Sequence, residues 1–178
     1  MTETVTIRAS HSSDMPSVTA IYRHAVVHGT ASFELVPPNE VEMAARRDTI
    51  LAGGYPYIVA EADGLVAGYA YAGAYRPRPA YRSTVESSVY VHGDFQGRGI
   101  GRSLLSTLVE ESSRRGFRQM IAVIGDSGHA ASIRLHEAVG FEHAGVLRSV
   151  GWKHGRWLDS VLMQRALGEG DSRAPRHR

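Results

Sequence analysis

The chain has 178 residues, of which 43% are hydrophobic and 21% are charged, and its formal net charge is +2. This length fits a single domain with its own core and leaves little room for a second domain. Cysteine is absent, which excludes disulfides, thiolate metal ligands and a cysteine nucleophile. Because neither a secretory signal nor an apolar run of membrane-helix length is visible, we expect a cytoplasmic protein without membrane contact.

The first half of the chain predicts one strand, two helices and a β-hairpin. Polar and apolar residues alternate over residues 5–8, as in a strand with one buried face. Ser13 or Asp14 is expected to cap a first helix, and a second helix is predicted from Asn39 to Ala52, ahead of two glycines. An Asp-Gly pair separates two apolar runs, which is a strong hairpin signal. These runs are Tyr57 to Ala62 and Leu65 to Ala74.

The second half predicts a proline- and arginine-rich loop and then alternating strands and helices. The loop, residues 75–82, contains two prolines and three arginines and does not fit a strand inside a sheet. Together with the first half, this order predicts an α/β fold with a mixed, mostly antiparallel central sheet flanked by helices. The predicted elements are a strand Ser83 to Val91, a helix Gly99 to Arg115, a strand Gln119 to Ile124, a helix Ala130 to Val139, and two strands within residues 141–164.

The last residues differ in composition from the rest of the chain. Glycine and proline at three positions oppose a helix, and basic residues crowd the end. We therefore expect residues 1–167 to form one domain and residues 168–178 to be a flexible, solvated tail that does not bind nucleic acid. The residues behind this expectation are Gly168, Gly170, Arg173, Pro175, Arg176, His177 and Arg178.

The most informative motif is a glycine-rich segment between the strand that ends at Val91 and the helix that follows. Glycines at alternate positions let main-chain N–H groups turn towards one point, and a helix N-terminus adds about half a positive charge. Arg102 stands where the dinucleotide-binding motif has Gly or Ala, and no Walker lysine follows. An ordinary tight turn is the alternative, but the cations Arg98 and Arg102 favour a diphosphate ligand. The segment reads Gln96-Gly97-Arg98-Gly99-Ile100-Gly101-Arg102.

This motif, in the form Gln96-x-x-Gly99-x-Gly101, resembles the acetyl-CoA pyrophosphate loop of the GNAT superfamily of N-acetyltransferases. The likeness extends from about Ile7 to Gln164 and narrows to the phosphinothricin and methionine sulfoximine/sulfone acetyltransferases. The other segments that carry it are Thr84-Val85-Glu86-Ser87-Ser88-Val89-Tyr90-Val91, Ala122-Val123-Ile124-Gly125, Ser132-Ile133-Arg134-Leu135-His136-Glu137 and Gly151-Trp152-Lys153-His154-Gly155-Arg156-Trp157-Leu158-Asp159.

The resemblance implies a GNAT fold, acetyl-CoA as co-substrate and a homodimer. Main-chain groups of one strand would hold the pantetheine arm, namely those of Val89, Tyr90 and Val91. The diphosphate would lie against Gly97, Arg98, Gly99, Ile100, Gly101 and Arg102. The acceptor would lie beside Glu86, Ser87 and Ser88, and its carboxylate would meet Arg76-Pro77-Arg78. Relatives usually have Asn before the last helix as a cofactor contact; here His129 stands there, followed by Ser132.

Transfer of an acetyl group to an amino acid requires a group that takes a proton from the ammonium. Glu86 is the candidate base, because it is the only carboxylate in its strand and its neighbours are apolar or aromatic, which raises a carboxyl pKa. A solvated carboxylate on an outer strand face is the alternative. The departing thiolate needs a hydrogen-bond donor, and Tyr90, Ser132 and His136 are candidates; the resemblance implies that His136 lies near the acceptor.

The acceptor site is expected to combine a charged and an apolar part. Arg76 and Arg78 can pair a carboxylate or phosphinate through two hydrogen bonds each, although solvated loop arginines are the alternative. Phe33 and Tyr75 can form an apolar wall against a methionine-like side chain, although aromatic residues are more often part of the core.

Two further motifs are interpreted as coincidences. His24 and His28 lack the glutamate of a zinc-protease helix motif, so no metal is expected. Gly125-Asp126-Ser127-Gly128 echoes a serine-protease string without the matching His and Asp segments.

The sequence thus predicts an acetyl-CoA-dependent N-acetyltransferase acting directly on the α-amine of a small amino acid analogue. Transfer to another amine, such as an antibiotic, a polyamine or a protein N-terminus, is one alternative. A non-catalytic acyl-CoA sensor is another. Nucleic-acid binding is not expected, because basic and aromatic residues are not interleaved on one face.

Overall fold

The computed structural model describes residues 5–175, and within them a seven-stranded sheet has helices on both faces. The strand order is β1-β2-β3-β4-β5-β7-β6, and only β4 and β5 run parallel. The predicted mixed, mostly antiparallel α/β fold is confirmed. The elements are β1 (Val5–Ala9), α1 (Met15–His28), α2 (Glu40–Ala52), β2 (Tyr57–Ala62), β3 (Leu65–Ala74), β4 (Thr84–Val91), α3 (Ile100–Arg114), β5 (Gln119–Gly125), α4 (Ala130–Ala138), β6 (Glu142–Lys153) and β7 (Arg156–Ala166).

Two hairpins have the same two-residue turn. Asp63 and Gly64 connect β2 to β3 with φ of 53° and 76°, and His154 and Gly155 connect β6 to β7 with φ of 51° and 71°. Positive φ at both central positions is the type I′ geometry, whose twist matches that of the flanking strands. The hairpin predicted from the Asp-Gly pair is confirmed, and Ala62 lies opposite Leu65 in it.

The sheet separates two apolar clusters, because alternate residues of each strand point to opposite faces. In β2, Tyr57 and Val59 pack beneath α1 and α2, whereas Ile58 and Ala60 pack beneath α3. Leu104, Leu105 and Leu108 of α3 are fully buried there, and Met15, Val18 and Val26 of α1 are buried on the other face. Tyrosines from the middle strands line the α1 side of the sheet, including Tyr69 and Tyr90.

The helix starts agree only in part with the expected caps. Asn39, predicted as the first residue of the second helix, is the residue before α2 and caps it, its Oδ1 accepting from the amide of Glu42 at 2.9 Å. Asp14 precedes α1 but makes no side-chain cap; its carboxylate accepts instead from Arg8 at 2.8 and 2.9 Å and from the His11 amide. The expected side-chain cap is therefore wrong. Because Arg8 lies in β1, its charge-assisted pair with Asp14 joins this strand to the start of α1.

The parallel pair β4 and β5 separates partway along its length. The two strands are paired only from Thr84 to Ser87 and from Gln119 to Ala122. Beyond that point β4 stays paired with β3, and β5 stays paired with β7. The sheet therefore contains a wedge-shaped opening, here called the strand gap, between residues 88–91 of β4 and residues 123–125 of β5. Main-chain groups on the facing edges of the gap have no neighbouring strand to pair with.

Residues after β7 return to the domain surface. The Arg118 guanidinium donates to the carbonyl oxygens of Gly170, Arg173 and Ala174 at 3.2–3.4 Å and pairs with Glu169 at 3.2 Å. The division into a domain of residues 1–167 and a flexible tail of residues 168–178 remains a prediction. Three of the basic tail residues lie outside the described part of the chain: Arg176, His177 and Arg178.

Candidate functional site

The glycine-rich segment forms a left-handed turn that leads directly into α3. Gly97 and Gly99 have φ of 76° and 79°, a conformation that costs other residues about 1 kcal/mol or more. Gly99 is the residue before the helix, and in the described chain no side chain caps this helix start. The first-turn N–H groups of α3 have no partner within the helix itself. Such amides can bind an anion, and a diphosphate ligand at this turn remains a prediction.

A groove of about 500 Å³ lies along this turn and along the outer half of β4. Its walls include all the predicted cofactor contacts except Arg98, whose guanidinium carbon lies 5.1 Å from the centre of the Phe95 ring. Arg102, in the first turn of α3, is exposed and is among the residues that line the groove. The predicted contacts in the walls are Val89, Tyr90, Val91, Gly97, Gly99, Ile100, Gly101, Arg102, His129 and Ser132.

A second, smaller cavity of about 260 Å³ lies at the strand gap, lined by residues of both its edges. The predicted acceptor residues Phe33, Glu86, Ser87 and Ser88 line it. The cavity shares five wall residues with the groove, so the two spaces meet at the strand gap. The shared residues are Ala31, Val89, Tyr90, His129 and Ser132.

Glu86 is half-buried in the wall of the cavity. Burial raises the pKa of its carboxyl group, and the nearby Arg76 opposes part of that rise. Its cross-strand neighbour on β3 is Gly73, where even a Cβ would meet nothing within 4 Å. Space is thus left beside the carboxylate. A carboxyl group with a raised pKa that faces a cavity is a reasonable proton acceptor for a bound ammonium.

His136 is buried on α4, and its ring packs edge-on against Phe141 with ring centres 5.0 Å apart. Its Nδ1 lies 2.8 Å from the carbonyl oxygen of Ser132. Because a carbonyl oxygen only accepts hydrogen bonds, Nδ1 carries the proton in the neutral ring. Burial also lowers the pKa of His136, so the neutral form is favoured. Its Nε2 is then an acceptor, which makes His136 a poorer proton donor than the sequence allowed.

Tyr90 keeps the properties of a donor. Burial raises the pKa of this phenol, as do nearby tyrosines. Its ring meets Tyr22 edge-on, with centres 5.1 Å apart, and stacks on Tyr69 at 5.2 Å. Tyr90 stays protonated and is a wall residue of both spaces, so it remains a candidate hydrogen-bond donor to a leaving thiolate.

The arginine-rich loop lies outside the walls of the cavity. Arg76 is exposed, and its guanidinium carbon lies 5.1 Å from the centre of the Tyr75 ring. Its only described influence on the cavity is the electrostatic one on Glu86. Tyr75 meets Tyr81 edge-on within the loop. The structure therefore brings Phe33 and Glu86 together but not Tyr75 or Arg76-Pro77-Arg78, whose roles remain predictions.

The two motifs set aside as coincidences have different surroundings. His24 and His28 line the groove opposite the glycine turn, with ring centres 4.8 Å apart, a position that helical spacing alone did not indicate. Ser127 donates to Asp159 at 2.8 Å and so supports a turn.

Among residues 5–175 no three His, Asp or Glu side chains are grouped to hold a metal, and no helix is long and apolar enough to span a bilayer.

Comparison with known proteins identifies relatives over nearly the whole chain. The family model for the acetyltransferase (GNAT) domain matches residues 7–162. A phosphinothricin N-acetyltransferase from Alcaligenes faecalis is 55% identical over 170 residues, covering 96% of this chain and 86% of that protein. An L-methionine sulfoximine/L-methionine sulfone acetyltransferase from Salmonella typhimurium is 43% identical, covering 93% and 96%.

A solved structure supports the same comparison. The crystal structure of a GNAT superfamily phosphinothricin acetyltransferase from Sinorhizobium meliloti in complex with AcCoA superimposes with a TM-score of 0.95. It is 50% identical in sequence, and the match covers 99% of this chain and 95% of that one.

Proposed function

Because the chain belongs to the GNAT family of N-acetyltransferases, we propose that it transfers acetyl from acetyl-CoA to the α-amine of a small amino acid analogue. The acceptor is proposed to be of the phosphinothricin, methionine sulfoximine or methionine sulfone type, as the names of its relatives state for them. The observation that carries this proposal is the meeting of the groove and the cavity at Val89 and Tyr90, with Glu86 in the cavity wall.

The groove fits the chemical groups of acetyl-CoA. Left-handed glycines and first-turn amides offer donors for a diphosphate, and Arg102 adds a positive charge. The unpaired edge of β4 in the strand gap offers main-chain groups of Val89 to Val91 to the amides of a pantetheine arm. Bound there, acetyl-CoA supplies the activated acetyl group.

The chain itself supplies the proton acceptor and the walls around the amine. An α-ammonium must lose a proton before its nitrogen can attack a carbonyl carbon, and Glu86 takes that proton directly or through water. Tyr90 donates a hydrogen bond to the departing sulfur. We propose direct transfer from acetyl-CoA to the amine, since the chain has no cysteine to form an acyl-enzyme. Arg76 and Arg78 are proposed to meet the acceptor carboxylate.

The acceptor class can be tested with the purified chain by following release of CoA thiol. We expect turnover with methionine sulfone, methionine sulfoximine or phosphinothricin, and at least about tenfold lower kcat/KM with a polyamine, because residues 75–82 contain no acidic side chain that would attract it. Higher kcat/KM for a polyamine, an antibiotic amine or a peptide N-terminus would replace the proposed acceptor. Binding of acetyl-CoA without turnover of any amine would indicate a sensor.

We also propose a homodimer in the cytoplasm, the dimer forming through the β6–β7 hairpin. This hairpin ends the sheet, and exposed apolar side chains cover it. An unpaired apolar edge strand favours association with another chain. The exposed residues are Val146, Leu147, Val150, Trp152 and Trp157.

Leu147→Asp is expected to convert the dimer to a monomer, because a carboxylate in the centre of an interface loses its water without gaining a partner. Light scattering measures the mass. Leu65→Asp is the matched control, since Leu65 is an exposed leucine on the other hairpin. A monomeric unsubstituted chain, or a dimer unaffected by Leu147→Asp, would exclude this interface.

A further inference from the structure

The segment between α1 and α2 passes along the acceptor cavity. Residues 30–36 of this segment, here called the acceptor loop, contribute Ala31 and Phe33 to the cavity walls. The loop has no regular secondary structure of its own. Its position must therefore be set by contacts with other elements, because an unrestrained loop would leave Phe33 without a defined place.

The Phe33 ring lies against two glycines from different strands. A Cβ on Gly151 of β6 would lie 2.6 Å from Cδ2 of Phe33, and a Cβ on Gly125 of β5 would lie 2.8 Å from its Cε1. Both distances are well inside van der Waals contact. The ring occupies its position only because neither strand has a side chain there. At Gly125 a side chain would also overlap the carbonyl oxygen of Thr30, at the start of the acceptor loop.

Strand β6 also holds Ser32, the residue before Phe33, through a buried charged side chain. Lys153, at the end of β6, is 4% exposed, and its Nζ donates to the carbonyl oxygen of Ser32 at 2.6 Å. Burial lowers the pKa of Lys153, whereas nearby Glu34 raises it. A buried ammonium is costly and persists only where its partners are fixed. Lys153 is the only lysine of the chain, and no catalytic step uses it.

The other side of the acceptor loop is bonded to α1 and α2. The Tyr22 hydroxyl lies 2.9 Å from Ser32 Oγ and 3.0 Å from Glu34 Oε1. Arg46 donates to the same carboxylate at 2.6 Å. Phe33 thus lies between two anchored residues, Ser32 and Glu34.

We propose that Gly151 and Lys153 of β6 are positioning residues that set the place of Phe33. They thereby set the size of the side chain that an amino acid can carry when its α-amine is acetylated. This inference rests on the proposed function. The glycine leaves the volume that the ring fills, and the ammonium holds the main chain one residue away. Neither residue lines the groove, and of the acceptor loop only Thr30 and Ala31 do, so acetyl-CoA binding is expected to change much less than acceptor binding.

Gly151→Ala tests whether the Phe33 ring needs the space that the missing side chain of Gly151 leaves. The added methyl group displaces the ring, and we expect the ratio of kcat/KM for methionine sulfone to that for alanine to fall about tenfold, with KM for acetyl-CoA changed less than twofold. Gly145→Ala is the matched control on the same strand, because a Cβ there meets nothing within 4 Å. Equal ratios in Gly151→Ala and Gly145→Ala would overturn the role of Gly151.

Lys153→Met tests the charge at nearly constant volume. We expect KM for methionine sulfone to rise about tenfold and kcat to change less, because the loop loses its anchor while Glu86 and Tyr90 stay in place. Lys153→Arg is also expected to raise KM for methionine sulfone, since the larger guanidinium group does not fit the same buried site. An unchanged KM in Lys153→Met would overturn the role of Lys153.

A direct measurement of Phe33 separates this inference from the proposed function. The chain has four phenylalanines, so fluorophenylalanine labelling gives few ¹⁹F signals, and Phe33→Leu assigns one of them. We expect this signal to shift or broaden in Gly151→Ala and Lys153→Met but not in Gly145→Ala. An unmoved signal overturns the inference whatever the activity. A shifted signal in a chain that acetylates no amino acid supports the positioning and overturns the proposed function instead.

Discussion

Glu86→Gln is expected to lower kcat for acetyl transfer about 10³-fold while the Kd for acetyl-CoA changes less than twofold. General acid–base catalysis by one positioned group is worth roughly 10²–10⁴ in rate. The amide keeps the size of the side chain but cannot accept the proton of the ammonium. Glu86 lines the cavity and not the groove, so binding of the co-substrate is preserved. Steady-state kinetics and calorimetry measure the two quantities.

Stability and pH distinguish this loss of catalysis from unfolding. Burial raises the pKa of Glu86, so ionisation is disfavoured in the fold, and the stability that the protonated group contributes is lost as pH rises through the raised value. Glu86→Gln should therefore be at least as stable as the unsubstituted chain at neutral pH. In the dependence of kcat/KM on pH, the midpoint of the acidic limb should lie above the ordinary glutamate pKa of about 4.3. This limb should be absent in Glu86→Gln. An unchanged limb would assign the proton transfer to another group.

Gly99→Asp is expected to weaken acetyl-CoA binding about 10- to 100-fold. The carboxylate would stand at the start of α3, where it competes for the first-turn amides and repels a diphosphate. Asp tolerates the left-handed conformation of this position better than most residues, so the fold is retained. Calorimetric titration with acetyl-CoA measures the change.

Gly64→Asp is the control for this variant. Gly64 has φ of 76° in an exposed hairpin turn, so the substitution adds the same charge in nearly the same backbone conformation away from the groove. Comparable melting temperatures with different Kd values are expected for the two variants. Comparable Kd values would mean that the start of α3 does not bind the diphosphate.

The sequence was most informative where one local rule decides the structure. Positive φ at Asp63 and Gly64 follows from the two-residue turn, and the ends of β2 and β3 were predicted to the residue. The glycine turn before α3 was predicted for the same reason. Asp14 shows the limit, because its carboxylate is bonded to Arg8, a partner that spacing along the chain does not identify.

The acceptor side was harder to predict, because segments far apart in sequence build it. Phe33 was expected as a wall residue, but its dependence on Gly125 and Gly151 requires the packing of two strands against one loop. The contact of Lys153 with Ser32 spans 121 positions. His136 was a candidate proton donor, and only the bond to Ser132 identified which nitrogen carries its proton. Such facts belong to tertiary structure, where local propensity carries no information.

The opening between β4 and β5 separates two kinds of recognition. Peptide groups are the same whichever side chains they carry, so a ligand bound along that edge tolerates substitution of the neighbouring residues. The proposed acceptor, in contrast, would be met by side chains such as Phe33, whose place depends on a distant strand, and each of these residues can change alone. In descendants of such a chain, the set of amines modified can diverge quickly while the acyl donor stays the same.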